Sequence, residues 1–153
     1  MKAPAWVAPI VLGAARVGLG ALWLNEGITK YRAHFGAPDI LLVASNADTS
    51  SRVPGYFRVF SDATLKQAPH FFGFLMPLLE TSLGVALILG VLTWLTAAGS
   101  LFQLLTYWCA DQLIVQYPAM ALLSAVVMLW PAQAGRISVT TLLRGRAGWL
   151  KIA

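Results

Sequence analysis

The chain has 153 residues, of which 58% are hydrophobic and 11% charged, with a net charge of +5 and a mean hydropathy of +0.70. An ordinary soluble domain is about 45–50% apolar and about 25% charged, so composition leaves a soluble core as the minority reading and favours one small membrane domain over residues 1–153. The basic residues form no run suited to nucleic acid, and one cysteine, Cys109, cannot make an internal disulfide or a C-x-x-C redox pair.

The N-terminus begins with Lys2 and an apolar stretch, as a signal peptide does. Arg16 interrupts that stretch and no A-x-A site follows, so the segment reads as a retained span. A bilayer crossing needs roughly 20 apolar residues. The first predicted span covers 6–31, the second 71–92, the third 94–113 and the fourth 118–131, where Pro118 suits a first helical turn. The fold class expected is all-α, a polytopic membrane four-helix bundle with a long interfacial loop, 33–69, between helices 1 and 2. That loop contains ILLVA (40–44) and VPGYFRVF (53–60), apolar pieces too short to span and suited to short helices at the interface that cap the bundle. A basic tail, 135–153, carries Arg136, Arg144, Arg146 and Lys151 beside Trp149, which fits an anionic leaflet.

Orientation follows from Lys and Arg near the spans. Lys2 and the tail contribute five such residues, and the first loop also contributes five: Lys30, Arg32, Arg52, Arg58 and Lys66. The tail's charges are close together, which breaks the tie and puts both termini in the cytoplasm.

Within the first span, Arg16, Gly20, Trp23, Gly27 and Lys30 are spaced 4, 3, 4 and 3 and share one helical face. Glycines there let a second helix approach closely. An arginine at mid-depth costs about 2.5–3.5 kcal/mol on insertion scales unless it finds a partner. In the second span, Gly73, Pro77, Glu80, Gly84 and Val91 share a face, and Glu80 is the expected partner of Arg16. Such a pair either fixes how two helices dock or serves a ligand or a proton.

A second cluster gathers if the helices alternate in direction. Asn25, Glu26 and Lys30 end the first span, His70 begins the second, and Tyr107, Trp108, Asp111 and Gln112 end the third. Singly, Glu26 and Lys30 form an ordinary i,i+4 pair, and the aromatics form an interfacial belt. Together they line a polar pocket roofed by the loop, a form that suits a small amphipathic ligand. His34 and His70 lack the spacing of a metal site and both fall in or beside the loop, so neither metal nor haem is expected.

The pattern R-x3-G-x2-W-x3-G-x2-K (Arg16, Gly20, Trp23, Gly27, Lys30), followed by LLETSLGVALILGVLTWLTAAGS (78–100), resembles the DoxX/DoxD family of small four-helix membrane proteins. NADTSSRVPGYFRVF and TYWCADQLIVQYP bring it nearer the DoxD type. The resemblance implies a bacterial cytoplasmic membrane and a quinone-linked role in a respiratory chain, because DoxD-like proteins include the small subunit of thiosulfate:quinone oxidoreductase. Other DoxX-like proteins are tied to oxidative-stress or thiol-handling complexes. The fold also resembles quinone-reactive disulfide-forming proteins, whose cysteine pairs this chain lacks.

On this reading the chain is a membrane subunit of a quinone-dependent oxidoreductase. Glu26, Lys30, Asp111 and Glu80 are the candidate catalytic residues. Arg16, Trp23, Lys30, His70, Tyr107 and Trp108 are the candidate quinone-binding residues. Its partners are the lipid bilayer and other membrane subunits or a redox partner that delivers electrons. The alternative is a non-catalytic accessory subunit that positions a larger membrane complex; a small-molecule or lipid carrier ranks last.

Overall fold

The computed structural model describes residues 4–143, and these fold as helices and connecting turns. Lys2, Arg144, Arg146, Trp149 and Lys151, used above for orientation, lie outside the described residues. The elements are α1 (Val7–Arg32), α2 (Ala37–Thr49), α3 (Gly55–Phe60) running into a π-helical turn (Ser61–Leu65), α4 (Pro69–Leu89), α5 (Thr93–Cys109), α6 (Tyr117–Leu129) and α7 (Pro131–Ala134).

Local chemistry explains the boundaries. Proline opens α4, α6 and α7 within their first turns, where its missing N–H has no intrahelical partner to lose. The helix α4 ends at Gly90, whose φ of 72° lies in the left-handed region that glycine enters at little cost. At the start of α2 the Asp39 carboxylate accepts the Gly36 N–H at 2.8 Å, satisfying an amide that the helix leaves free. His34, Leu92 and Asp111 also adopt positive φ, each at a joint between helices.

Two helices, α1 and α4, are long and apolar enough to cross a bilayer; α5 and α6 have 17 and 13 residues. The segment expected as a loop over 33–69 is mostly helical. It buries a core of its own from Ile40, Ala44, Ala47, Val53, Phe57 and Leu65, closed by Ala110 at the end of α5.

Helices α1 and α4 pack antiparallel along glycine faces. A Cβ on Gly84 would stand 2.6 Å from the Leu24 nitrogen, and one on Gly20 would stand 2.9 Å from the Gly84 carbonyl, so only glycine permits this approach. Leu19 and Trp23 of α1, Leu87 of α4, Leu104 of α5, and Tyr117 and Met120 of α6 form the central core. Through it runs a polar thread: Trp23 Nε1 donates to Ser100 Oγ at 2.6 Å, and Ser100 and Ser124 share a hydrogen bond at 2.7 Å. Each polar atom in that thread has a partner, so burial leaves no orphan there.

This register overturns the expected Arg16–Glu80 pair. Gly20 lies beside Gly84 and Ile88, while Gly27 lies beside Pro77 and Thr81. Arg16 therefore falls level with the end of α4, two turns or about 10 Å beyond Glu80 at 1.5 Å per residue. The sequence placed both charges near mid-span by counting; the antiparallel register separates them. Arg16 instead donates to backbone carbonyls of Leu87 and Ile88 at the end of α4, and to those of Ala134 and Ile137 at 3.0 Å each. Terminal helix carbonyls carry partial negative charge and lack intrahelical donors, so a forked guanidinium satisfies several at once. The buried face of α4 likewise ends on Leu87, while Val91 lies past the helix and is 37% exposed.

Candidate functional site

The opposite end of α1 holds an acid–base cluster. Glu26, Gly27 and Lys30 are on one face because helix neighbours recur at three and four residues. Lys30 Nζ lies 2.6 Å from Glu80 Oε1 and 3.8 Å from Glu26 Oε2. From α5, the Tyr107 hydroxyl donates to the same Glu80 oxygen. From the start of α6, Tyr117 donates to Glu26 Oε2 at 3.3 Å, and Gln116 donates to Glu26 Oε1. The Tyr107 and Tyr117 rings stack 5.3 Å apart at 16°, and the Lys30 ammonium sits 5.5 Å from the Tyr107 centroid and 5.8 Å from that of Phe35, within cation–π range. Glu80 is fully buried, and among the described residues its Oε2 has no hydrogen-bond partner.

Against this cluster opens a cavity of about 340 Å³. Lys30, Thr106, Tyr107, Asp111, Gln112 and Tyr117 supply its polar lining, and Phe57, Phe60, Phe72 and Met76 supply much of its apolar lining. The α2–α3 segment covers it. A volume of a few hundred Å³, apolar walls and a few converging polar groups are the features of a small-ligand site.

The cover is tied to the α5–α6 joint by Asp111. Its carboxylate accepts from Ser50 Oγ at 3.0 Å and from Arg52 at 2.9 Å. Tyr56 and Cys109 share a hydrogen bond at 2.9 Å, which raises the phenol above its ordinary range. On the outer surface Asp48 and Asp62 accept from Lys66, and these bonds raise its ammonium above the usual lysine range.

The predicted residues thus divide. Lys30, Tyr107 and Asp111 line the cavity. Glu26 and Glu80 stand behind Lys30 and the two tyrosines rather than on the cavity surface. Trp23 is wholly buried and 6.4 Å from Tyr107, serving the core. Asn25 and His70 are exposed, Trp108 is 63% exposed, and Arg16 lies about four turns from Lys30 along α1, so these four are outside the cavity. Sequence reasoning missed Gln116 and Tyr117. Two polar residues directly before Pro118, at a span's start, were the available signal. It also missed the aromatic lining from α3 and Phe72, which no spacing along α1 reveals.

The DoxX family model matches residues 11–112, two thirds of the chain, from α1 to the joint after α5. The chain belongs to the DoxX family. This DoxX protein is a membrane protein with an all-helical fold, and the match includes Lys30, Glu80, Tyr107 and Asp111 but ends before Gln116 and Tyr117. No curated protein and no solved structure matches the chain.

Proposed function

We propose that this DoxX protein is the membrane subunit of a quinone-linked oxidoreductase and that the cavity beside Lys30 receives the quinone ring. One observation carries the reading: an apolar cavity of about 340 Å³ whose polar lining includes an ammonium and two phenols backed by two buried carboxylates. The lining fits the group. Phe57, Phe60 and Phe72 offer ring faces, Lys30 offers a donor for a ring oxygen, Tyr107 offers its phenol oxygen, and the open side leaves room for an apolar tail.

A quinone, when bound, supplies two-electron, two-proton redox chemistry. The chain's own residues then have separate tasks. Lys30 stabilises negative charge on a ring oxygen, because its ammonium is held in place before binding and keeps N–H groups not used on Glu80. Glu80 fixes Lys30 and Tyr107 through one shared oxygen. The aromatic lining and the α2–α3 cover lower the polarity around those groups, which strengthens the interactions. Electrons come from a partner subunit or from the reductant itself.

In this reading α1, α4, α5 and α6 cross a bacterial cytoplasmic membrane as a bundle, with α7 prolonging α6 after the Pro131 break, and α2–α3 lie at the interface. Lys30 points into the cluster with its side chain 18% exposed, so it does not belong to the charges that set topology. The tally then favours cytoplasmic termini.

The test is titration of the full chain in lipid nanodiscs with a short-tailed quinone, followed by quenching of intrinsic fluorescence. Saturable binding is expected, weakened ten-fold or more by Lys30→Ala, because a hydrogen bond from a charged group contributes about 1.5–3 kcal/mol. Absence of saturable binding, or affinity indifferent to Lys30, defeats the reading. In that event the accessory role is favoured, since Phe74, Phe102, Leu105 and Leu122 are each more than half exposed and would suit a larger membrane subunit.

A further inference from the structure

We infer that Glu80 stores one exchangeable proton for the cavity and that Tyr107 is the route by which this proton leaves and returns. The inference rests on the ligand-site reading only for the use made of the proton; the store itself follows from charge and geometry.

Two carboxylates face one ammonium. The ionisable groups around Glu80 are Glu26 and Lys30 from α1, Tyr107 from α5 and Tyr117 from α6; α4 adds none in the adjoining turns. With both acids ionised the cluster carries a net negative charge in a dry interior, and an uncompensated buried charge is far more costly than a neutral acid. One proton restores neutrality.

The hydrogen bonds say where it sits. Both oxygens of Glu26 accept: Oε1 from Gln116, and Oε2 from Tyr117 with Lys30 at 3.8 Å. Each Glu26 oxygen thus has a donor facing it, and neither is left to place a proton of its own. In Glu80, Oε1 takes both donors, Lys30 and Tyr107, while Oε2 is buried with none among the described residues. A protonated carboxyl matches this division, with its carbonyl oxygen accepting twice and its hydroxyl on Oε2.

Tyr107 touches Glu80 and lines the cavity, so it bridges the two. In the relay a half-turn of the Glu80 carboxyl presents its hydroxyl to the Tyr107 oxygen, which frees the phenol O–H to turn to an oxygen acceptor in the cavity. That O–H bond breaks as its proton passes to the acceptor, and the Glu80 proton re-forms the phenol. Glu80 is left as the carboxylate against Lys30. Only protons move; the acceptor's electrons come from its own reductant.

The experiment is infrared spectroscopy of the full chain in nanodiscs at neutral pH, without quinone. A protonated-carboxyl C=O band is expected that shifts on deuteration, is lost in Glu80→Gln and persists in Glu26→Gln. Tyr107→Phe should keep the band but slow its hydrogen–deuterium exchange ten-fold or more. Glutamine mimics the neutral acid, so Glu80→Gln should fold with an unchanged Tm. An absent band, a band surviving Glu80→Gln, unchanged exchange in Tyr107→Phe, or unfolding of Glu80→Gln would each overturn the inference. Loss of quinone binding with the band intact would defeat the proposed function and leave the store standing.

Discussion

Helix α1 carries two inward cations near cavities, Arg16 in its first half and Lys30 close to its C-terminus, and the two are neutralised by different means. Arg16 is spent on backbone carbonyls of α4, α7 and the turn after it. The nearby cavity, about 450 Å³, is lined by Thr93, Ser138, Thr140 and Thr141 among others, and no ionisable side chain lines it among the described residues. Lys30 faces two carboxylates and two phenols beside a smaller cavity of about 340 Å³. Cavity size therefore does not identify the site. What does is whether the cation retains titratable partners, because carbonyls hold a charge in place and carboxyls can exchange a proton with it.

Breaking that contrast should hurt stability most at Arg16. Arg16→Met takes the guanidinium from four carbonyls, of which that of Leu87 keeps the Gly90 N–H at 3.2 Å, and loss on the order of 3 kcal/mol or more is expected from the hydrogen bonds to a charged group. Arg16→Lys should recover only part of it, since a single ammonium cannot reproduce the fork. Thermal unfolding in detergent, compared with Lys30→Ala, reads both; the contrast fails if Lys30→Ala is the more destabilising. At Tyr117 a smaller effect is expected. Tyr117→Phe keeps the stack on Tyr107 but removes a donor to Glu26, costing about 1 kcal/mol by the same assay. The smallest effect belongs to the cover. The Arg52 side chain is 77% exposed, so Arg52→Ala should change stability by less than about 1 kcal/mol, and a larger loss would mean the cover is fastened mainly at Asp111.

The sequence shows much of this fold through spacing. The 4-3-4-3 pattern from Arg16 to Lys30 gives the inward face of α1, because helical period alone decides which residues share a side; Arg16, Gly20, Trp23 and Gly27 are all buried. It does not show which residue of α4 stands opposite which residue of α1. That register is set by where Gly20 and Gly84 meet, a property of two helices together, and it replaces Arg16 with Lys30 as the partner of Glu80. The helical character of α2 and α3 was partly visible in ILLVA and VPGYFRVF, but not that their inner faces form a core with Ala110. His70 and Trp108 were near the site by chain position, and only the rotation of their helices turns them outward.

Photoaffinity labelling with an azidoquinone, mapped by mass spectrometry on the full chain in lipid, compares the two cavities directly. Adducts should fall on the lining from α3 and from the end of α5, at 57–65 and 106–117, and diminish in Lys30→Ala. Adducts confined to 92–95 and 131–141, at the Arg16 end, would contradict the assignment of the ligand to the cavity backed by acids.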